Sequence, residues 1–151
     1  RGKLHKVKGD NGGWTKWGVS ERAHPNEDIK NLTEERAKEI FYEDYWKGSG
    51  ADKLPDELAV AHVDAAWNMG NEQANKILQR AVRTADDGVV GKQTIAAARK
   101  ANKKEALAEM LHRRMGVYQD IIVNNPKTEK FRDGWTNRVV DLAKMEMARL
   151  P

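Results

Sequence analysis

From Thr33 to the C-terminus, apolar residues recur at the three- and four-residue spacing of amphipathic helices, broken only by short segments carrying Gly, Pro or Asn. This periodicity constrains the fold most. An apolar stripe along a helix must be buried against other stripes, so a run of them folds as helices around a shared core. "LTEERAKEIFYEDYWK" predicts a helix with Thr33 as N-cap and Glu34 and Glu35 in the first turn, where the helix dipole favours acids. Ala37, Ile40, Phe41 and Tyr45 share one of its faces. "GSGADKLP" is a break, and Pro55 suits the first position of the next helix. Leu58, Ala61, Ala65 and Met69 give that helix a small-residue face, and Gly70 ends it. A helix from Glu72 to Val82 turns Ala74, Ile77, Leu78 and Ala81 inward. The loop "TADDGVVGKQT" leads to a short helix from Thr94 to Ala101. The longest pattern carries Leu107, Met110, Leu111, Tyr118 and Ile122, until Pro126 disfavours helix at Asn125. A last helix carries Trp135, Val139, Leu142 and Ala143. The fold class is therefore mainly α, with about six helices behind a glycine-rich N-terminal loop or short hairpin.

A chain of 151 residues reads as one domain and buries about two-thirds of its unfolded surface, so it needs no staple. Cysteine is absent, which removes thiol catalysis and cysteine-based zinc sites. His5, His24, His62 and His112 are widely spaced and show no metal-ligand pattern, so neither metal nor cofactor is expected. Met110, Met115, Met145 and Met147 sit on helical patterns and read as core filler. No apolar run approaches the roughly 20 residues that span a bilayer. The first residues, "RGKLHKVKGD", are neither a signal peptide nor an initiator methionine, so an upstream segment is expected to have been cut away. The net charge of +4 suits a polyanion such as nucleic acid, anionic lipid or cell wall without choosing among them. "HRRM" and "RKANKK" read as solvated helix faces or as attraction to anionic wall polymers.

The segment "GDNGGWTKWGVS" shows no periodicity. Gly12 and Gly13 let a ligand approach the backbone, Trp14 and Trp17 offer flat faces for sugars or bases, and Thr15 offers a hydroxyl to hold a water. Asp10 is the only acid among the first 20 residues. An acid, a hydroxyl and aromatic platforms are components of glycoside cleavage. Composition alone nevertheless favours a plain turn whose tryptophans cap a core.

"DNGGWTKWGVSERAHP" with "DIKNLTEERAKEIFYEDYW" resembles the N-terminal block of glycoside hydrolase family 108, phage-type N-acetylmuramidases of the lysozyme superfamily. The family pattern is Glu-Gly-Gly, a short variable stretch, an acid, then Gly-Gly-x-Thr-x-x-Gly-Ile; Gly12, Gly13, Thr15, Gly18 and Val19 fill its second half. "LPDELAVAHVDAAWNMGNEQANKILQRAV" is similar to the family's Asp-x-Ala-x-Asn-x-Gly helix and Leu-Gln-Arg-Ala. "DGVVGKQT" resembles the Asp-Gly-x-x-Gly-x-x-Thr signature of small peptidoglycan-binding helical modules, with Lys92 where proline is usual. "FRDGWTNRV" resembles the family's Gly-Trp-x-Asn-Arg. The resemblance implies a lysozyme-like helical fold, with residues 1–70 as a catalytic-type lobe and 71–151 as a peptidoglycan-binding-like lobe packed into the same domain. It implies a monomeric peptidoglycan hydrolase that cuts the bond between N-acetylmuramic acid and N-acetylglucosamine at the bacterial cell wall, encoded by a phage or prophage. No nucleic acid and no membrane span belong to that reading.

One departure is decisive. Counting back from Gly12, the family's catalytic Glu falls on Arg1, and its Gly-Gly on Gly2 and Lys3. Arginine keeps its proton in proteins and cannot serve as a general acid. Three accounts stand open: the Glu was replaced, it was removed with the helix before it, or the register slips by one and a Glu stood just ahead of Arg1. With a Glu in place, the resemblance implies that it protonates the glycosidic oxygen, its pKa raised in a desolvated cleft. Asp10, nine residues later, would activate a water or stabilise the transition state, and Thr15 would hold that water. A water nucleophile calls for carboxyls roughly 6.5–9.5 Å apart and an inverting outcome.

Gly12, Gly13, Trp14, Trp17, Tyr45 and Asn68 are the expected sugar contacts. Of Tyr42, Tyr45 and Trp46, two are expected in the core. Asn68 serves either an N-acetyl group or the helix end near Gly70. Asp64 is read as a supporting partner or as exposed, and Glu21 as a weak stand-in acid. Two rival functions remain: a non-catalytic peptidoglycan-binding or structural module of a phage particle or secretion system, and a nucleic-acid-binding helical protein suggested only by charge.

Overall fold

The computed structural model describes residues 2–6 and 13–150, so Arg1, Asp10 and Gly12 lie outside the described residues. The chain divides into two compact units, Arg1–Glu43 and Asp44–Pro151.

In the first unit, strand β1 (Thr15–Lys16) pairs antiparallel with β2 (Val19–Ser20), Thr15 opposite Ser20 and Lys16 opposite Val19. The two residues between them, Trp17 (φ 55°) and Gly18 (φ 81°), both have positive φ. That is the type I′ turn, whose backbone twist matches that of the strands it joins. Gly18 adopts it freely, whereas a residue with a Cβ such as Trp17 pays about 1–2 kcal/mol. His5 extends the hairpin, its N–H donating to the Thr15 carbonyl at 2.9 Å and its carbonyl accepting from the Thr15 N–H at 2.8 Å. Helix α1 (Glu34–Ile40) starts as expected, with the Thr33 hydroxyl oxygen accepting from the Arg36 N–H at 3.1 Å. Val19, Ile29, Leu32, Ala37 and Ile40 are buried.

The sequence predicts one helix through Lys47, but the run widens to a π-helix over Phe41–Lys47. Such a turn shifts the hydrogen-bond partner by one residue and loosens the ladder at its end. The carbonyl of Asp44 is taken up by the side-chain amide of Asn71, which donates to it at 2.7 Å. The chain then leaves through Gly48, where a Cβ would stand 2.0 Å from the Asp44 carbonyl oxygen. Only glycine passes that point.

The second unit holds α2 (Asp56–Met69), α3 (Asn71–Ala81), α4 (Lys92–Lys100), α5 (Lys103–Asn124) and α6 (Arg132–Met147). With α1 these make the mainly α fold expected from the periodicity, and the N-terminal hairpin is present as well. Pro55 stands one residue ahead of α2, and Gly70 (φ 92°) separates α2 from α3. Helix α5 is the spine: α2, α3 and α6 all pack on it. Leu58, Leu78 and Leu107 are completely buried in this core, beside Ile77, Ala98, Met110, Leu111, Tyr118, Val139 and Leu142. Burying each large aliphatic side chain contributes about 1.5–3 kcal/mol.

The loop between α3 and α4 is built around one side chain. Gln79 is fully buried, and its amide nitrogen lies 2.9 Å from Asp87 Oδ1, 2.9 Å from the Val89 carbonyl and 3.1 Å from Thr94 Oγ1. Its amide oxygen accepts from the Gly88 N–H at 2.9 Å. An amide nitrogen carries two hydrogens, so three acceptors share them. Asp87 Oδ1 also accepts from the Val89 N–H, and Asn75 donates to the Gly88 carbonyl. The Asp-Gly-x-x-Gly-x-x-Thr pattern is thus the wrapping of a loop around a buried glutamine. Replacing Gln79 by Met keeps the volume but orphans the buried Gly88 N–H. Stability measured by urea denaturation should fall by about 1–3 kcal/mol. Unchanged stability together with unchanged hydrogen-exchange protection at Gly88 would count against the staple.

His62 on α2 is fully buried, and its Nε2–H donates to the Ser49 carbonyl at 3.0 Å. Burial pushes its pKa below the ordinary histidine value, against the opposing pull of the Ser49 carbonyl and the Asn75 side chain. The folded state therefore keeps His62 neutral while the unfolded chain takes up a proton as pH falls through about 6.5. Its stabilising contribution is present above that value and is lost below it, down to the folded pKa, by up to about 1.4 kcal/mol per pH unit. Denaturation at pH 7.5 and 5.5 should show a steeper loss for the native chain than for His62→Gln. Parallel slopes would refute this.

Candidate functional site

The first unit gathers Gly13, Trp14, Thr15 and Trp17 on one hairpin. The type I′ turn holds Trp17 at the tip, and Trp14 precedes β1. Both indoles are partly exposed, so neither is sealed in a core. Lys30 Nζ lies 5.5 Å and Lys6 Nζ 5.9 Å from the centre of the Trp14 ring. These are cation–π distances, and they make the aromatic surface electropositive. Lys16 donates to the Lys30 carbonyl at 3.2 Å, tying β1 to the 3-10 turn Ile29–Asn31. Gly13 (φ 73°) lies under the Glu21 side chain: a Cβ there would stand 2.8 Å from Glu21 Oε1.

Gly2, the residue bonded to Arg1, meets the same hairpin. A Cβ on Gly2 would come within 2.6 Å of two carbons of the Trp17 ring. The indole therefore rests on a bare Cα. This gives a physical reason for glycine directly after residue 1 in the motif.

Tyr45 and Asn68 belong to the second unit. The Tyr45 ring meets Trp67 edge-on at 4.9 Å and packs on the cluster of Ala65, Ala66 and Ala74. Burial, then the neighbouring Asp44 carboxylate, raises the Tyr45 pKa. Trp46 packs against the main core, while Tyr42 is exposed. Asn68 is fixed through its oxygen, which accepts from the Tyr118 hydroxyl. Tyr118 also accepts from Arg114 Nε at 2.8 Å, and Arg114 Nη1 lies 2.7 Å from Asp64 Oδ2. Arg138 closes the far side of Asp64, its Nε 2.9 and 3.0 Å from the two carboxylate oxygens. The Asp64 pairing and burial offset each other at Arg138, and pairing dominates, raising its pKa. The Tyr118 ring stacks on Trp135 with centroids 4.7 Å apart.

Asp64 is thus a supporting partner rather than an exposed acid. Arg114 and Gln79, buried polar side chains that organise this unit, carry no mark of burial in the sequence. Gln79 is the glutamine of Leu-Gln-Arg-Ala, and its partners eight to fifteen residues downstream follow no helical or strand period. Arg114 sits in "HRRM", a run that looks solvated. Among the described residues no cluster of His, Asp and Glu fit to hold a metal ion occurs.

The contact between Gly2 and Trp17 can be tested by a double-mutant cycle. Gly2→Ala should destabilise the hairpin by about 1–3 kcal/mol, as overpacking does. That cost should vanish in a Trp17→Ala background; strictly additive costs in chemical denaturation would separate the two residues.

The family model for glycosyl hydrolase 108 matches residues 2–70, and that for a predicted peptidoglycan domain matches residues 73–140. No curated protein sequence matches the chain. Among solved structures, the chain is similar to the structure of Brucella abortus SagA, at 28% identity and a TM-score of 0.83, over 97% of this chain and 87% of that one. The two domain matches run in order along the chain and carry a role in hydrolysing or binding peptidoglycan, which lies outside the cytoplasm. Residues 2–70 thus resemble a glycosyl hydrolase 108 domain and residues 73–140 a predicted peptidoglycan domain, an order that fits a lysozyme-like protein of that kind.

Proposed function

We propose that this chain binds the glycan strands of peptidoglycan along the tryptophan hairpin, that residue 1 is the position of the proton donor, and that Arg1 leaves the chain a poor muramidase. The observation that carries this reading is the seating of Trp17 on Gly2, which brings the residue next to position 1 against the expected sugar platform. Indole faces suit the apolar faces of sugar rings, and the lysines around Trp14 suit a carboxylate-bearing wall polymer. A donor at residue 1 would protonate the oxygen between N-acetylmuramic acid and N-acetylglucosamine. Asp10 would activate the attacking water, Thr15 would position it, and Gly12 and Gly13 would let the strand lie close to the backbone. Tyr45, on the second unit, would offer its ring to a sugar. Asn68, its oxygen engaged by Tyr118, would present its amide N–H group to an N-acetyl carbonyl.

In this reading residues 1–70 act on the glycan and residues 71–151 hold the wall, as a monomer without nucleic acid. The phage-type lineage of the motifs supports a phage or prophage origin. Arg1 equally favours a second reading, a non-catalytic peptidoglycan-binding module descended from such enzymes.

Release of reducing ends from purified cell walls distinguishes them. The chain with Arg1 should be slower than its Arg1→Glu variant by about 100-fold or more, the usual worth of a positioned general acid. In the Arg1→Glu background, Asp10→Asn and Thr15→Ala should each lower the rate again. Wall binding with no gain from Arg1→Glu would leave the binding module as the function. Failure of either form to bind walls would defeat both readings.

A further inference from the structure

A groove of about 490 Å³ lies in the second unit between the end of α3 and the first half of α5. Arg80, Arg83 and Arg113 line it together with Asn102, Glu105 and Glu109. That volume falls within the roughly 300–1,000 Å³ of small-ligand clefts. Its charges are not equivalent. Arg80 is paired with Asp86 at 2.7 Å and Arg113 with Glu109 at 2.7 Å. Arg83 and Glu105 form no ion pair among the described residues. The groove therefore offers one uncommitted cation and one uncommitted carboxylate.

The backbone at Arg83 adds an independent observation. Helix α3 ends in a Schellman motif: the Thr84 N–H donates to the Gln79 carbonyl at 2.9 Å, and the Arg83 N–H to the Arg80 carbonyl at 3.3 Å. The residue in the left-handed position is Arg83, with φ 60°. Glycine is the usual occupant, because a Cβ is strained there. An arginine kept at that cost on the lip of a polar groove points to a task for its side chain.

We infer that this groove binds a short acidic peptide bearing a free amine, with Arg83 taking a carboxylate and Glu105 the ammonium. This is the chemistry of the peptide stems that hang from the glycan strands of bacterial walls. The inference rests on peptidoglycan being the partner, and assigns its peptide part to the second unit.

Calorimetry on the whole chain tests it, with an N-acetylated tetrapeptide stem whose diamino-acid side chain carries the only amine, and with peptide-free glycan strands as a second probe. The peptide should bind, and Arg83→Gly should weaken it about tenfold or more, the scale of a lost charged contact. The same variant should melt about 2–4 °C higher, since glycine relieves the backbone strain. Arg83→Lys should keep most of the affinity. Glu105→Gln should weaken this peptide but not one acylated at its amine. Weaker binding without a fall in stability excludes damage to the fold. Peptide binding by Arg83→Gly within twofold of the parent would overturn the groove assignment, as would glycan binding with no peptide binding; the latter leaves the proposed function standing. If neither probe bound, both would fall.

Discussion

The carboxylate of Asp64 is where three helices of the second unit are locked together. It projects from α2, meets the buried Arg114 of α5 on one side and Arg138 of α6 on the other. A buried guanidinium without its counter-charge costs several kcal/mol, so these helices cannot slide past one another without exposing that cost. Tyr118 extends the lock to Asn68 at the end of α2 and to Trp135 on α6. Apolar burial around α5 supplies most of the driving force, but it is non-directional. The ion pairs set the register in which the apolar faces meet.

A similar division of labour governs the loop after α3. Leu78 is core, while its neighbour Gln79 turns into the loop and fixes it through both ends of its amide. Arg80 and Ala81 then face the groove. Four consecutive residues of one motif thus serve packing, loop closure and the lining of a groove. In the first unit the tryptophan hairpin combines a strained turn at Trp17 with a glycine contact at residue 2. Rigid presentation of aromatic faces is what a site for sugar rings requires, since each mobile side chain loses entropy on binding.

Helix positions were legible in the sequence because burial repeats every three to four residues and caps leave local marks. Thr33 caps α1, Gly70 ends α2, and the apolar positions read for α5 are all buried, as Leu107, Met110, Leu111, Tyr118 and Ile122 show. The hairpin was visible from its glycines, and the likeness to glycosyl hydrolase 108 from motifs spaced along most of the chain. The π-turn at Phe41–Lys47 was not legible, since it preserves the apolar residues and changes only the hydrogen-bond offset. Nor was the structural role of Asp64, Gln79 and Arg114, whose side chains look like those of solvated positions. Asp10, Arg1 and Gly12 lie outside the described residues, so their roles rest on the motif alone.

The sequence by itself determined the mainly helical architecture and the two domain likenesses, because local propensity, apolar period and motif order are all written along the chain. Only the tertiary structure decided which polar side chains are structural and which face a groove. Asp64 and Arg114 are fifty residues apart, and Arg138 lies seventy-four from Asp64. A charge reveals its function only through the partner folding brings to it, and that partner has no fixed offset in sequence.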